Sequence, residues 1–133
     1  MIRRLLAALL LLAGATGAVA APSADIAGLW RNPDGSVLVR IAPCGDEICG
    51  TIVGATPTAQ ADARDGGFTH LIGLSILYGY HAHGQHHWEG RVLVPDMGHV
   101  FSSHIDLVDP SHARVAGCLF HQHLCQTQLW QRT

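Results

Sequence analysis

The chain contains no lysine, and its eight arginines face ten acidic residues. Arg3 and Arg4 take two of those arginines into the first few positions, so the rest is more acidic still. Nucleic acid and anionic lipid both require a concentrated basic surface, and this composition predicts neither as a partner. Short catalytic signatures are missing too. There is no H-E-x-x-H and no C-x-x-C, and Gly73-Leu74-Ser75-Ile76 lacks the second glycine of a nucleophile elbow. No spacing sets a carboxylate pair for acid–base work. The expectation is a protein that is not an enzyme.

Long apolar runs are also scarce. Leu5 to Ala13, behind Met1-Ile2-Arg3-Arg4, is the nearest approach to one. It falls far short of the roughly 20 residues that span a bilayer. With Ala18-Val19-Ala20 as a small-x-small site, residues 1–20 read as a signal peptide. No cysteine stands at the cut to carry a lipid. Residues 21–133 are then one exported domain, periplasmic or secreted, with no stable membrane insertion after the leader is removed.

What is present is a rhythm of short alternating segments separated by turn residues. Strands are predicted at Ile26–Arg31, Ser36–Ala42, Ile48–Val53, Leu71–Tyr80, Trp88–Val94, Val100–Leu107, Ala113–Phe120 and Cys125–Arg132. Between the third and fourth, Thr56 as cap, Pro57 at the first position and Gly66 as terminator frame a short helix, or an alanine-rich loop. Eight strands with mostly short turns close into an all-β antiparallel meander barrel. A two-layer antiparallel sandwich is the alternative.

Turn parity then divides the molecule. Cys44 and Cys49 bracket the turn after strand two, Cys118 and Cys125 the turn after strand seven, so the pairs lie at opposite ends. That predicts disulfides Cys44–Cys49 and Cys118–Cys125, each between facing hairpin residues. Such short loops contribute about 2–2.5 kcal/mol each in the chain-entropy model.

Ten histidines are the most unusual feature. His81, His83, His86 and His87 crowd one loop, with His112 at the same end, while His70, His99, His121 and His123 fall at the other. Neutral imidazole suits zinc, copper or nickel. Three of His81, His83, His86 and His87 make a candidate metal site, set against a merely polar loop, because no carboxylate or cysteine completes a ligand spacing. No other cofactor is implied. Trp30, Trp88 and Trp130 read as packing residues, and Arg132 lies close enough in sequence to cross an indole ring.

Gly28-x-Trp30 on the first strand with an arginine on the last resembles the signature of lipocalin-like barrels, in which the arginine closes the barrel's bottom over the tryptophan. That resemblance implies barrel closure through Gly28, Trp30, Trp130 and Arg132. A longer ordered set runs through Asp34-Gly35, Cys44-Gly45, Cys49-Gly50-x-Ile52, Gly73-Leu74-x-Ile76-Leu77, Trp88-x-Gly90, Pro95-x-x-Gly98, Gly117-Cys118-Leu119, Cys125 and Gln128-x-Trp130-x-Arg132. It resembles the exported bacterial domain-of-unknown-function family 2147. The chain departs from that pattern at Leu93-Val94, where the family has Tyr-Asp, and at His99-Val100-Phe101, where it has Lys-x-Tyr. The functional expectation is a non-catalytic binding module for a small apolar or amphipathic ligand. The alternative is a metal-binding protein using the histidine loop.

Overall fold

The computed structural model describes Gly14 and residues 25–133. The predicted leader over residues 1–20 therefore lies, Gly14 aside, outside the described residues. The elements in order are β1 (Gly28–Arg31), β2 (Val37–Cys44), β3 (Glu47–Ala55), α1 (Pro57–Asp65), β4 (Ser75–Ala82), β5 (His87–Val94), β6 (His99–Asp109), β7 (His112–Leu119) and β8 (His123–Arg132). The strands form a closed barrel in sequence order. This replaces the sandwich alternative.

Closure rests on little backbone. β1 has only four residues, and it meets β8 through Trp30 opposite Arg132 and Arg31 opposite Gln131. Immediately afterwards Asn32-Pro33-Asp34-Gly35 turns the chain away. Asn32 Oδ1 accepts from Val37 N at 2.9 Å and Asp34 Oδ1 from Ser36 N at 3.0 Å, the short polar caps that make this sequence a turn. Upstream of Gln131, among the described residues, β8 has β7 as its strand neighbour on one side alone.

Every expected strand shifts by a residue or more at one end or both, and two of these shifts have a clear local cause. The fourth strand does not begin at Leu71, because Gly73 takes φ +94° and donates its N–H to Ile52 O at 2.7 Å. Leu71 is buried as part of a turn, and the ladder starts at Ser75. The second strand runs on through Pro43 to Cys44, since Gly45 at φ +70° lets Gly45-Asp46 turn the chain in two residues. Between strands three and four the chain is helical. Thr56 Oγ1 accepts from Ala59 N at 3.2 Å, and the Gly66 N–H returns to Ala63 O at 3.1 Å.

Alternation decides the interior. On β6, Ser103 and Ile105 are fully buried while His104 and Asp106 lie on the opposite face. Trp30, Ile41, Ile48, Tyr80, Trp88 and Ile105 are almost wholly removed from solvent and fill one half of the barrel. Burial raises the Tyr80 phenol well above its ordinary range despite the Ser103 contact. It stays neutral and donates to Ser103 Oγ at 2.7 Å.

This filled half is sealed at its end by Arg132. Its guanidinium carbon stands 4.4 Å from the centre of the Trp30 ring, within cation–π range. Arg132 Nε donates to Pro110 O at 2.7 Å, and Nη1 and Nη2 donate to Ala27 O and Asp25 O at 2.6 Å each. Trp30 Nε1 donates to Ile26 O at 2.9 Å. Gly28 sits at φ +142°, and a Cβ there would come within 2.7 Å of Arg132 Nη1. The arginine needs a residue with no side chain beneath it.

Both disulfides connect the expected cysteines. Cys118 faces Cys125 directly across β7 and β8. Cys44–Cys49 is instead a diagonal pair with Cα atoms 5.9 Å apart, because the two-residue turn sets Cys44 opposite Glu47 and Cys49 opposite Ala42.

Candidate functional site: a cavity at the open end and an imidazole ribbon outside

The other half of the barrel is not filled. A cavity of about 330 Å³ lies there, at the low end of the roughly 300–1,000 Å³ typical of small-molecule sites. Its apolar surface comes from Ile52, Leu71, Ile76 and Val92 with Leu93, Val94 and Trp130. Polar groups of the lining are Asn32, Asp34 and Ser36 from the β1–β2 turn, Thr58 and Asp62 from α1, Asp96, and Gln128 of β8. Thr58 and Asp62 are four positions apart on α1 and Ala59 and Asp62 three, so they meet on its cavity side, and Ala63 beside them is buried in the core. Trp130 Nε1 donates to Gln128 Oε1 at 3.0 Å, which holds that amide in place.

The α1 wall is pinned at its end. A Cβ on Gly66 would stand 1.7 Å from Pro95 O, and one on Gly98, at φ +60°, 2.6 Å from Gly66 O. Only backbone fits between the end of the helix and the β5–β6 turn. The departures from the family pattern gather nearby: Leu93 and Val94 line the cavity, and Phe101 packs on the core with the His99 ring 4.5 Å away.

The four loop histidines do not meet at one point. His81 Nε2 lies 3.2 Å from Glu47 Oε1, and His86 Nδ1 turns to Asp25 Oδ2 at 3.8 Å. His83 Nε2 and His87 Nε2 lie 3.3 and 3.4 Å from the two oxygens of Glu89. His87 Nδ1 meets Asp106 Oδ1 at 2.5 Å, and Asp106 Oδ2 lies 3.8 Å from His104 Nε2. Partial burial opposes protonation of His87, but the Asp106 contact, helped by Glu89, outweighs it and holds the imidazole above its usual range. Imidazoles and carboxylates thus alternate along the outer wall from β4 to β6. Sequence reading missed Glu89 and Asp106. The signal was the Pro95–Gly98 turn, which sets Val94 opposite His99 and so His87 opposite Asp106 and Glu89 opposite His104.

Among the described residues, the set of three potential ligands with all ligating atoms within 4.8 Å of one another is His104, Cys118 and Cys125. Both of its sulfurs are joined in the disulfide.

Comparison with curated protein sequences gives no match. Among solved structures, the chain is similar to protein HP1028 of the human pathogen Helicobacter pylori, which belongs to the lipocalin family. The TM-score is 0.65 at 9% identity, over 80% of this chain and 82% of that one. At that identity the likeness is one of fold. Gly28-x-Trp30, the arginine on β8 and the closed eight-stranded ring fit the same lipocalin-like architecture. Residues 28–132 match the model of a bacterial family described as uncharacterized protein conserved in bacteria, DUF2147, and the chain belongs to that family.

Proposed function

We propose that the protein is an exported, non-catalytic binding module that holds one small amphipathic molecule in the cavity at the open end of its barrel. The cavity itself carries the reading: apolar side chains joined by a polar rim, in a barrel whose other half is filled by buried side chains. A volume of about 330 Å³ is on the order of ten water-sized groups. It suits a chain or ring of about that many non-hydrogen atoms.

Rim chemistry narrows the head group. Asp34, Asp62 and Asp96 are the charged residues of the lining, and no arginine stands among them. A carboxylate head would meet like charge there, whereas an alcohol or an amine would be accepted. Side chains of Asn32, Ser36 and Gln128 supply further acceptors and donors. Two disulfides suit an oxidising compartment, in keeping with export.

The test is titration with decylamine, decanol and decanoate, followed by the fluorescence of Trp130, the tryptophan that lines the cavity. The amine and the alcohol are expected to bind and to shift the emission, with decanoate at least about tenfold weaker, an electrostatic difference of about 1.4 kcal/mol. Equal binding of all three by the wild type and by Leu93→Trp would overturn the assignment of the site.

A further inference from the structure

We propose that β8 offers its open margin to a second copy of this chain, pairing antiparallel with the copy's β8 about a two-fold axis at Thr127.

Strand register sets which backbone groups are on offer. Thr133 donates its N–H to Leu29 O at 3.0 Å and Arg132 donates to Ser111 O at 2.8 Å, so odd positions of β8 point to the side of β1 and even positions to β7. That alternation runs upstream without a bulge as far as Cys125. The disulfide agrees with it. Cys118 and Cys125 have Cα atoms 4.0 Å apart, near the narrow spacing of about 4.5 Å between opposed residues that exchange no hydrogen bonds. Cys125, Thr127 and Leu129 therefore direct their N–H and C=O groups away from β7. β1 pairs no further along β8 than Arg31 with Gln131, and among the described residues no other strand takes up this row. Every position from His123 to Leu129 is exposed.

The sequence leaves the margin unguarded. Between His123 and Gln131 there is no Lys, Arg, Asp, Glu or Pro, the residues that usually blunt a strand edge against pairing. A copy approaching this ribbon meets no like charge. The row also matches itself when reversed. With Thr127 on the axis, Cys125 comes opposite the copy's Leu129 and Thr127 opposite the copy's Thr127, and each such pair exchanges both N–H···O bonds. Threonine facing threonine is a favourable cross-strand pair. Gln126 meets the copy's Gln128, where each amide can donate and accept. Using one patch twice about a two-fold axis is the commonest way for two copies to associate. The seam is short against the roughly 1,200–2,000 Å² of a standard interface, so a weak dimer is expected, with a dissociation constant of about 10–100 μM.

The experiment uses the disulfide-intact protein, followed by sedimentation equilibrium and by amide hydrogen exchange. Between about 5 μM and 1 mM, exchange at Cys125, Thr127 and Leu129 should slow about five- to tenfold by mass action, while Gln126 and Gln128, already bonded to β7, should not change. Thr127→Pro removes an outward N–H without touching the β7 ladder and should abolish the dimer. Thr127→Lys sets like charges face to face and should weaken it about tenfold. Thr127→Val keeps the backbone row and should stay within about threefold of wild type. Far-ultraviolet circular dichroism checks that each variant is folded. One chain's mass at every concentration, or a dimer that survives both Thr127→Pro and Thr127→Lys, overturns the proposal. So does slow exchange at every concentration, which would mean that the same chain covers the row, or slowing with decylamine alone, which would give the row to the guest. Leu93→Trp should dimerise as the wild type does, and a decylamine titration at about 1 μM protein reads the monomer, so failure here is distinct from failure of the cavity reading.

Discussion

The two ends of the barrel solve opposite problems with the same strands. At one end Trp30, Ile41, Ile48, Tyr80, Trp88 and Ile105 fill the interior, and Arg132 ties Asp25 and Ala27, just before β1, to the end of β8 over it. At the other, side chains of similar apolar character stop short of one another and leave space beneath α1. The difference lies in what caps each end. Arg132 satisfies three backbone carbonyls with one planar fork, whereas the open end is bordered by a turn, a helix and the one-sided stretch of β8. Stability should therefore concentrate at the sealed end and binding at the open one.

Trp30→Ala is the largest expected break in this division. Loss of a fully buried indole costs about 3–5 kcal/mol, which urea denaturation should read as a large drop in midpoint. Trp88→Phe should be far milder than Trp30→Phe. Trp88 Nε1 is buried without a partner, so its removal also relieves an unsatisfied donor, while Trp30→Phe strands Ile26 O. Next comes Arg132→Ala, at about 2–3 kcal/mol for charge-assisted bonds lost together with the ring contact. Arg132→Lys should recover less than half of that, because an ammonium cannot reach three carbonyls in one plane.

Much of this contrast could be read before any coordinates. Trp30 and Arg132 announce the sealed end through the resemblance of Gly28-x-Trp30 with a last-strand arginine to lipocalin-like barrels, and the structure adds the reason for the glycine, since a Cβ at Gly28 would meet the guanidinium. The parity of short turns was enough to separate the two cysteine pairs. Thr56, Pro57 and Gly66 framed a helix, with an alanine-rich loop as the alternative, and the structure decides for the helix. The cavity was not legible. It depends on how far Ile76, Leu93 and Trp130 fall short of contact, and alternation reports only which way a side chain faces. The apolar stretch from Leu71 misled for a related reason: a buried turn and a buried strand have the same composition, and Gly73 alone distinguished them. Glu89 and Asp106 needed strand register, which one turn fixes for the whole β5–β6 ladder.

Smaller effects sharpen the comparison at the open end. Leu93→Trp should cost less than about 1.5 kcal/mol, because the added volume enters existing space rather than a packed core. It should still weaken decylamine binding by tenfold or more in the fluorescence titration. The smallest expected effect treats the two ends alike. Asp34, in the open end's first turn, is held below the usual carboxylate range by hydrogen bonds from Ser36. Asp109, in the sealed end's β6–β7 turn, is lowered by His112 and by the Ser111 N–H. Each contribution is present above the ordinary carboxylate pKa and fades as pH falls through the lowered folded value. Melting curves between about pH 5 and pH 2 should lose this slope in Asp34→Asn and in Asp109→Asn by similar small amounts.

The backbone seam between Gly66 and Gly98 bears on how a guest arrives. With no space for even a methyl group there, a side chain at Gly66 or Gly98 would push the end of α1 off the β5–β6 turn. On the far flank of the cavity the Asn32–Ser36 hairpin stands beside a stretch of β8 that, among the described residues, has no strand paired to its outer margin. If a guest enters by that unpaired side, Asp34, Ser36 and Gln128 are the polar lining residues it passes, and substitutions there should change its rate of binding more than its affinity.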